Sequence, residues 1–247
     1  MGCMMGIQSV DRAVEIMEAL TQGPSTVGAI AERLDVHKST ASRILSSLAD
    51  HGLVEKSSSS GAYSLGFALV RFASAVTRRM DLSDTAQKLC DEVSAALKLT
   101  ANVAILDEVF AVNVSQAVGG GLLAPRHYVG LRTPGHATSS GKVLLAHDEV
   151  AAEAALSDVL EPHTERTITD PEALRAELET VRAQGWAASN EEWEQHITAV
   201  AVPLRLHDGR VEATLTVTGP THSLPPESFA EVAQRMLALA AVTHRWT

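Results

Sequence analysis

The chain has 247 residues, 45% of them apolar, and a formal net charge of −10. That length suits two domains, each with its own core, and no run approaches the roughly 18 apolar residues of a membrane span. Met1 to Gly6 lack the basic and apolar regions of a signal peptide, Gly6 stands where a myristoylation motif requires Ser or Thr, and Cys3 and Cys90 form neither a disulfide framework nor a Cys-x-x-Cys pair. A cytoplasmic protein with no membrane attachment is expected.

The acidity weighs against nucleic-acid binding through bulk charge, which usually takes a basic protein. Residues 1–65 carry five cations (Arg12, Arg33, Lys38, Arg43, Lys56) against seven Asp and Glu. Any DNA affinity must then rest on a few well-placed cations, multiplied by oligomerisation.

Helical periodicity opens the chain. Val10, Ala13, Val14, Met17 and Leu20 form an amphipathic stripe, with Ser9 as N-cap and Gly23-Pro24 as the stop. A second stripe, Val27, Ile30, Ala31 and Leu34, follows a Ser25 or Thr26 cap. A third, Ala41, Ile44, Leu45 and Leu48, starts near Ser39 and ends at Gly52. The short turn Asp35, Val36, His37, Lys38 between the last two predicts a helix-turn-helix. The outer face of the third helix presents Lys38, Ser39, Thr40, Ser42, Arg43 and Ser46, with no carboxylate where phosphates would approach, and its first amides suit a phosphate. A solvated face would look the same for one helix alone; three helices in this order favour DNA.

Residues 53–56 and 62–65, joined by a serine-rich tip expected to be flexible, predict the hairpin of a wing. Lys56 and Tyr63 on that hairpin, and Thr26 at the second helix, complete the DNA-contact candidates. Residues 67–81 predict a linker helix whose Phe67, Leu69, Val70, Phe72, Ala73 and Val76 call for a partner chain, closed by Arg78-Arg79.

From residue 82 the pattern mixes helix and strand. Helices are expected over 82–99, 138–147 and 149–160, and strands over 101–106 and 109–115, with a mobile loop at Gly119-Gly120-Gly121. Asp170-Pro171 opens a helix ended by Gly185, with Leu174, Leu178 and Val181 buried. Strands 199–206 and 211–218 flank Asp208-Gly209, a type I′ turn signal. In the second of them Val211, Ala213, Leu215 and Val217 share one face, and Glu212, Thr214, Thr216 and Thr218 the other. A helix over 226–244 closes the chain. Without strict βαβ alternation, this pattern points to an α+β protein with an antiparallel sheet.

No catalytic constellation emerges. The segment from Gly135 to Lys142 resembles a phosphate loop but has five intervening residues instead of four, and Val143 replaces the Ser or Thr that would bind magnesium. Hydrolase elbows, His-Glu-x-x-His and dinucleotide fingerprints are missing. His127, His136 and His196 could meet in space, but their spacing does not indicate a metal. Neither a metal nor a cofactor is expected.

These residues resemble the IclR family of bacterial transcriptional regulators along essentially the whole chain. The likeness rests on Ser9-Val10-Asp11-Arg12-Ala13, Ile30-Ala31-Glu32-Arg33-Leu34, Lys38-Ser39-Thr40-Ala41, Arg43-Ile44-Leu45 and Gly52-Leu53-Val54. Farther on it rests on His136-Ala137-Thr138, Gly141-Lys142, Glu191-Glu192, Val200-Ala201-Val202-Pro203 and Thr218-Gly219-Pro220. The resemblance implies a winged helix-turn-helix over 1–66, a linker helix over 67–81 and a GAF-like effector-binding domain over 82–247. It also implies dimers or tetramers, double-stranded operator DNA as partner, and a pocket for a carboxylate or aromatic catabolite. That pocket would use Ser139, Ser140, Ser189, Ala199, Thr216 and Thr218. Ser189 and Ala199 replace the Asp and Cys frequent in relatives, making the pocket less acidic, and His196 stands where Gly is usual. Thr216 and Thr218 could instead be the solvent face of an edge strand. An enzyme built on a GAF-like domain, or a winged-helix adaptor that binds protein, stay open as rival functions.

Overall fold

The computed structural model describes residues 7–73, 83–119, 128–206 and 208–243. The fold is α+β, and the chain divides into two compact units, Met1–Met80 and Asp81–Thr247.

In the first unit, α1 (Gln8–Thr21), α2 (Val27–Arg33) and α3 (Lys38–Asp50) precede a hairpin of β1 (Val54–Lys56) and β2 (Tyr63–Leu65). Two expectations for α1 are corrected. Its N-cap is Ile7, without a side-chain bond, and not Ser9; the carbonyl of Ile7 accepts from the N–H groups of Val10 and Asp11 and starts the helix without a hydroxyl. Its buried stripe is Ala13, Ile16, Met17 and Leu20, leaving Val10 and Val14 exposed. The sequence holds two overlapping stripes at helical spacing, and packing against α3 and β2 selects the second. Thr26 Oγ1 caps α2 by accepting from Ala29 N–H at 3.3 Å.

Asp35 takes a left-handed φ of 49° in the turn. His37 then caps α3, its Nδ1 accepting from Ser39 N–H at 3.3 Å. Ala41, Leu45 and Leu48 of α3 close on Ile16, Leu20, Ile30 and Val54 as one core. The tip of the hairpin is internally bonded: Ser57 N–H donates to Ala62 O, and Gly61 N–H to Ser57 O. Residues 68–73 are helical; the remainder of the expected linker helix lies outside the described residues.

The second unit begins with α4 (Ser83–Leu97), β3 (Thr100–Asp107), β4 (Phe110–Ala117) and β5 (Arg132–Pro134), with most of the expected glycine loop outside the described residues. Next come α5 (Ser139–Ala146), α6 (Glu149–Ser157) and α7 (Pro171–Gln184). Then β6 (Ala187–Asn190), β7 (Ile197–Arg205), β8 (Val211–Pro220) and α8 (Phe229–Thr243) complete it. Six antiparallel strands run in the order β5-β4-β3-β8-β7-β6. Helices α4 and α8 pack against β3, β4, β7 and each other, and α5 lies against β3, β6, β7 and β8 with α7 against it. Leu144 of α5 meets Ala104, whereas Cys90 of α4 lies against Val103. Strand alternation therefore places the two helix layers on opposite faces.

The β7–β8 connection corrects the expected type I′ turn. That turn would make Asp208 and Gly209 its central pair, but Gly209, at φ 84°, closes a turn that begins at Leu206. Gly209 N–H donates to Leu206 O and Leu206 N–H to Arg210 O, so the left-handed glycine follows the turn as a bulge.

Candidate functional site

Along α3, Lys38, Ser39, Ser42, Arg43 and Ser46 are exposed and Thr40 is half-buried. Arg43 and Thr40 share a groove with Arg12 of α1, a cation that reading α3 by itself leaves unassigned. The Ser39 hydroxyl lies 2.8 Å from His37 Nδ1, so it is tied to the helix cap. Lys56 is exposed and stands over the Tyr63 ring, 5.6 Å from its centre. Tyr63 differs from the other candidates: it is buried among Ile16, Leu20 and Val54, and β2 pairs with Ser25 there. Its ring is part of the core under the hairpin.

In the second unit, Ser139, Ser140, Ser189, Ala199, Thr216 and Thr218 line one small cavity that opens partly to solvent. β8 is a central strand between β3 and β7, so Thr216 and Thr218 are not the solvent face of an edge. The cavity begins where α5 does. Thr138 caps that helix, its Oγ1 accepting from Gly141 N–H at 3.3 Å and donating to Pro134 O at 2.9 Å. The first intrahelical bond of α5 runs from Lys142 N–H to Thr138 O, so the N–H groups of Ser139 and Ser140 have no intrahelical acceptor, and such amides together with the helix dipole favour an anion. Ser189 has already committed its proton, donating to Ala137 O at 2.9 Å.

Other lining residues come from cross-strand neighbours and loops that sequence spacing does not connect. Asn102, Asn113 and Thr133 lie on β3, β4 and β5; Trp193, Glu194 and Ile197 follow β6. Glu194 also contributes a carboxylate to the lining. Three buried oxygens here have no hydrogen-bond partner: Asn102 Oδ1, Ser139 Oγ and Thr216 Oγ1.

Behind the cavity wall, the resemblance of Gly135 to Lys142 to a phosphate loop finds a packing explanation. A Cβ on Gly141 would stand 2.3 Å from the Gly135 Cα, so these glycines allow two backbones to touch. Lys142 is 1% exposed, and its ammonium donates to Glu192 Oε1 and Glu177 Oε1, each at 2.9 Å. Burial pushes the Glu192 carboxyl above the usual range, against the pull of Lys142. This ion pair anchors the 191–196 loop, whose carbonyls at Glu191 and Glu192 also accept from Thr164 Oγ1 and Thr167 Oγ1. Glu191 and His196 have φ of 61° and 64°, left-handed values that a Gly would adopt without strain. Glu191 closes the loop by accepting from His196 N–H at 3.2 Å.

The histidines that could have met in space are placed apart from a shared site among the described residues. His136 stacks on His163, 5.7 Å between ring centres, His196 is exposed, and His127 lies outside the described residues. No three His, Cys, Asp or Glu gather as metal ligands among the described residues, and no helix there is long and apolar enough to cross a membrane.

Comparison with known proteins decides the family. The IclR helix-turn-helix domain matches residues 9–58, and the bacterial transcriptional regulator IclR C-terminal domain matches residues 74–243. The chain belongs to the IclR family. Among its relatives, the HTH-type transcriptional regulator BhcR of Paracoccus denitrificans is 34% identical over 219 residues, covering 87% of this chain and 78% of BhcR. An IclR transcriptional regulator from Alicyclobacillus acidocaldarius superposes with a TM-score of 0.81 at 28% identity, covering 98% of this chain and 99% of that one. An IclR homologue from Microbacterium hydrocarbonoxydans, solved with 4-hydroxybenzoate, also reaches 0.81, at 26% identity, covering 97% of this chain and 100% of that one. As an IclR-family member the chain is a helix-turn-helix transcriptional regulator and not an enzyme.

Proposed function

We propose that this regulator reads an operator through α3 and the β1–β2 hairpin, and that a small organic acid held in the cavity controls that binding. The observation that carries the proposal is the pairing, in one chain, of an exposed carboxylate-free cationic helix face with a cavity that leaves three buried oxygens unpartnered. Lys38 and Arg43 supply the charge for phosphates or base edges, with Thr26, Ser39, Thr40, Ser42, Ser46, Lys56 and Tyr63 around them. The carboxylate of the effector sits on the amides of Ser139 and Ser140. Ser139, Thr216 and Thr218 offer hydroxyls, Ser189 offers an acceptor, and Ala199 leaves apolar room for the ligand body. The Microbacterium homologue holding 4-hydroxybenzoate supports an acid of this size.

Control requires that the acid favour one arrangement of the DNA-reading units over another. In our proposal the chain works in the cytoplasm as a symmetric dimer or tetramer, its parts being residues 1–66, 67–81 and 82–247. The exposed Ile7, Val10, Val14, Phe67, Val70 and Phe72 supply apolar surface for such an assembly.

A thermal-shift screen of aromatic and short aliphatic acids tests the pocket, run on the wild type and on Ser140→Trp, which fills it. Acids that raise the wild-type melting temperature should leave the variant unmoved. Equal shifts in both would place the site elsewhere.

A further inference from the structure

We infer that Asn102 selects for a hydroxyl group on the effector, so that the ligand is a hydroxylated organic acid rather than a plain carboxylate. The inference rests on the proposed acid-binding role of the cavity and adds a specificity residue to it. Asn102 is 2% exposed, and its Oδ1 is buried without a partner. In the antiparallel register of β3 and β8 it stands directly opposite Thr216, which is 5% exposed and whose Oγ1 is likewise unpartnered. An asparagine oxygen can only accept, so a carboxylate cannot satisfy it; it needs a donor. A hydroxyl donates to Asn102 Oδ1 and still accepts from Thr216 Oγ1. Neither side chain carries a charge to balance an ammonium.

The proposed acid site is built from other elements than this pair: Ser139 and Ser140 begin α5, whereas Asn102 and Thr216 lie on β3 and β8. Ser189, bonded to the residue that leads into α5, lies on β6, three strands away from Asn102 on β3. Ala199 and Ile197 of β7 and Trp193 line the cavity along with them, supplying apolar surface for the ligand body. The cavity floor thus offers a place for the acid, an apolar stretch and a hydroxyl-reading pair.

The test is calorimetric titration of the full-length protein with matched acids: benzoate against meta- and para-hydroxybenzoate, and butyrate against beta-hydroxybutyrate. In the better-binding series the hydroxylated acid should bind the wild type about ten-fold or more tightly, the scale set by a buried acceptor left unpaired. Asn102→Leu should erase that preference while still binding the plain acid, with its unliganded melt reporting that it folds. If plain and hydroxylated acids bind the wild type within about two-fold of each other, the hydroxyl inference falls and acid binding stands. A preference that survives in Asn102→Leu removes Asn102 from the selection. Failure of every acid to bind overturns both proposals. If Asn102→Leu does not fold, the smaller Asn102→Ala takes its place in the same comparison.

Discussion

Replacing Lys142 with methionine should unsettle the second unit more than most single substitutions. Methionine fills similar space but removes the ammonium shared by Glu192 and Glu177. Glu177 is about a third exposed and can turn to water, whereas the Glu192 side chain is only 10% exposed. The cost is therefore that of one stranded buried carboxylate, about 3 kcal/mol, the low end for breaking a buried ion pair. With an m-value of about 2 kcal/mol/M, the urea midpoint should fall by about 1.5 M. All three tryptophans lie in the second unit, so their fluorescence reports its unfolding. Removing Lys142 raises the Glu192 pKa further above its unfolded value. The penalty is then present at high pH and is relieved as falling pH protonates the carboxyl. Lys142→Met/Glu192→Gln should recover at least half of the loss, because glutamine is neutral and still accepts from Asn190 N–H. A midpoint shift equivalent to less than about 1 kcal/mol, or single-variant costs that simply add, would refute the account of a coupled buried pair.

Further outcomes follow from the same geometry. Arg43→Ala should cost about 1–3 kcal/mol of operator affinity if Arg43 reads a base; if it or the neighbouring Arg12 touches only phosphate, the salt slope should drop by about 1. Unchanged titrations for the Arg43, Arg12 and Lys38 variants would take α3 out of the interface. Footprinting should show a pseudo-palindrome and sizing a dimer or tetramer; a monomer protecting one half-site would contradict the assembly. Burial holds the His136 and His147 imidazoles below the usual value, with the His163 ring and the Arg205 guanidinium adding to the respective shifts. Their contribution to stability is full above about pH 6.5 and is lost as pH falls toward the folded values; His136→Gln should flatten that acid limb, which urea melts across the range will reveal. His196→Gly should stabilise the second unit by about 1 kcal/mol by relieving a left-handed residue, and a lower melting temperature would count against that strain.

The parts of this molecule legible in its sequence are those set by neighbours in the chain. The turn between α2 and α3, the Asp170-Pro171 helix start and the Gly185 stop each depend on a few consecutive residues, and the structure has all three. Two competing stripes on α1 needed tertiary packing to choose between them. Asp208-Gly209 needed the strand register, which sets the turn one residue earlier than the dipeptide indicates. The six cavity residues expected from family resemblance do line one cavity, yet Asn102, Trp193 and Glu194 were invisible to spacing, because β3 meets β8 only through the sheet. The same holds for Lys142 and Glu192, whose bond spans 50 residues.

The most direct test of control by an effector is a linked titration. Fluorescence anisotropy of a labelled duplex from upstream of the protein's own gene gives the operator affinity with and without an acid that raises the melting temperature. The account predicts that the acid shifts DNA affinity by some factor, and that DNA shifts acid affinity, measured by calorimetry, by the same factor. An acid that binds the cavity tightly while leaving operator affinity unchanged would contradict it.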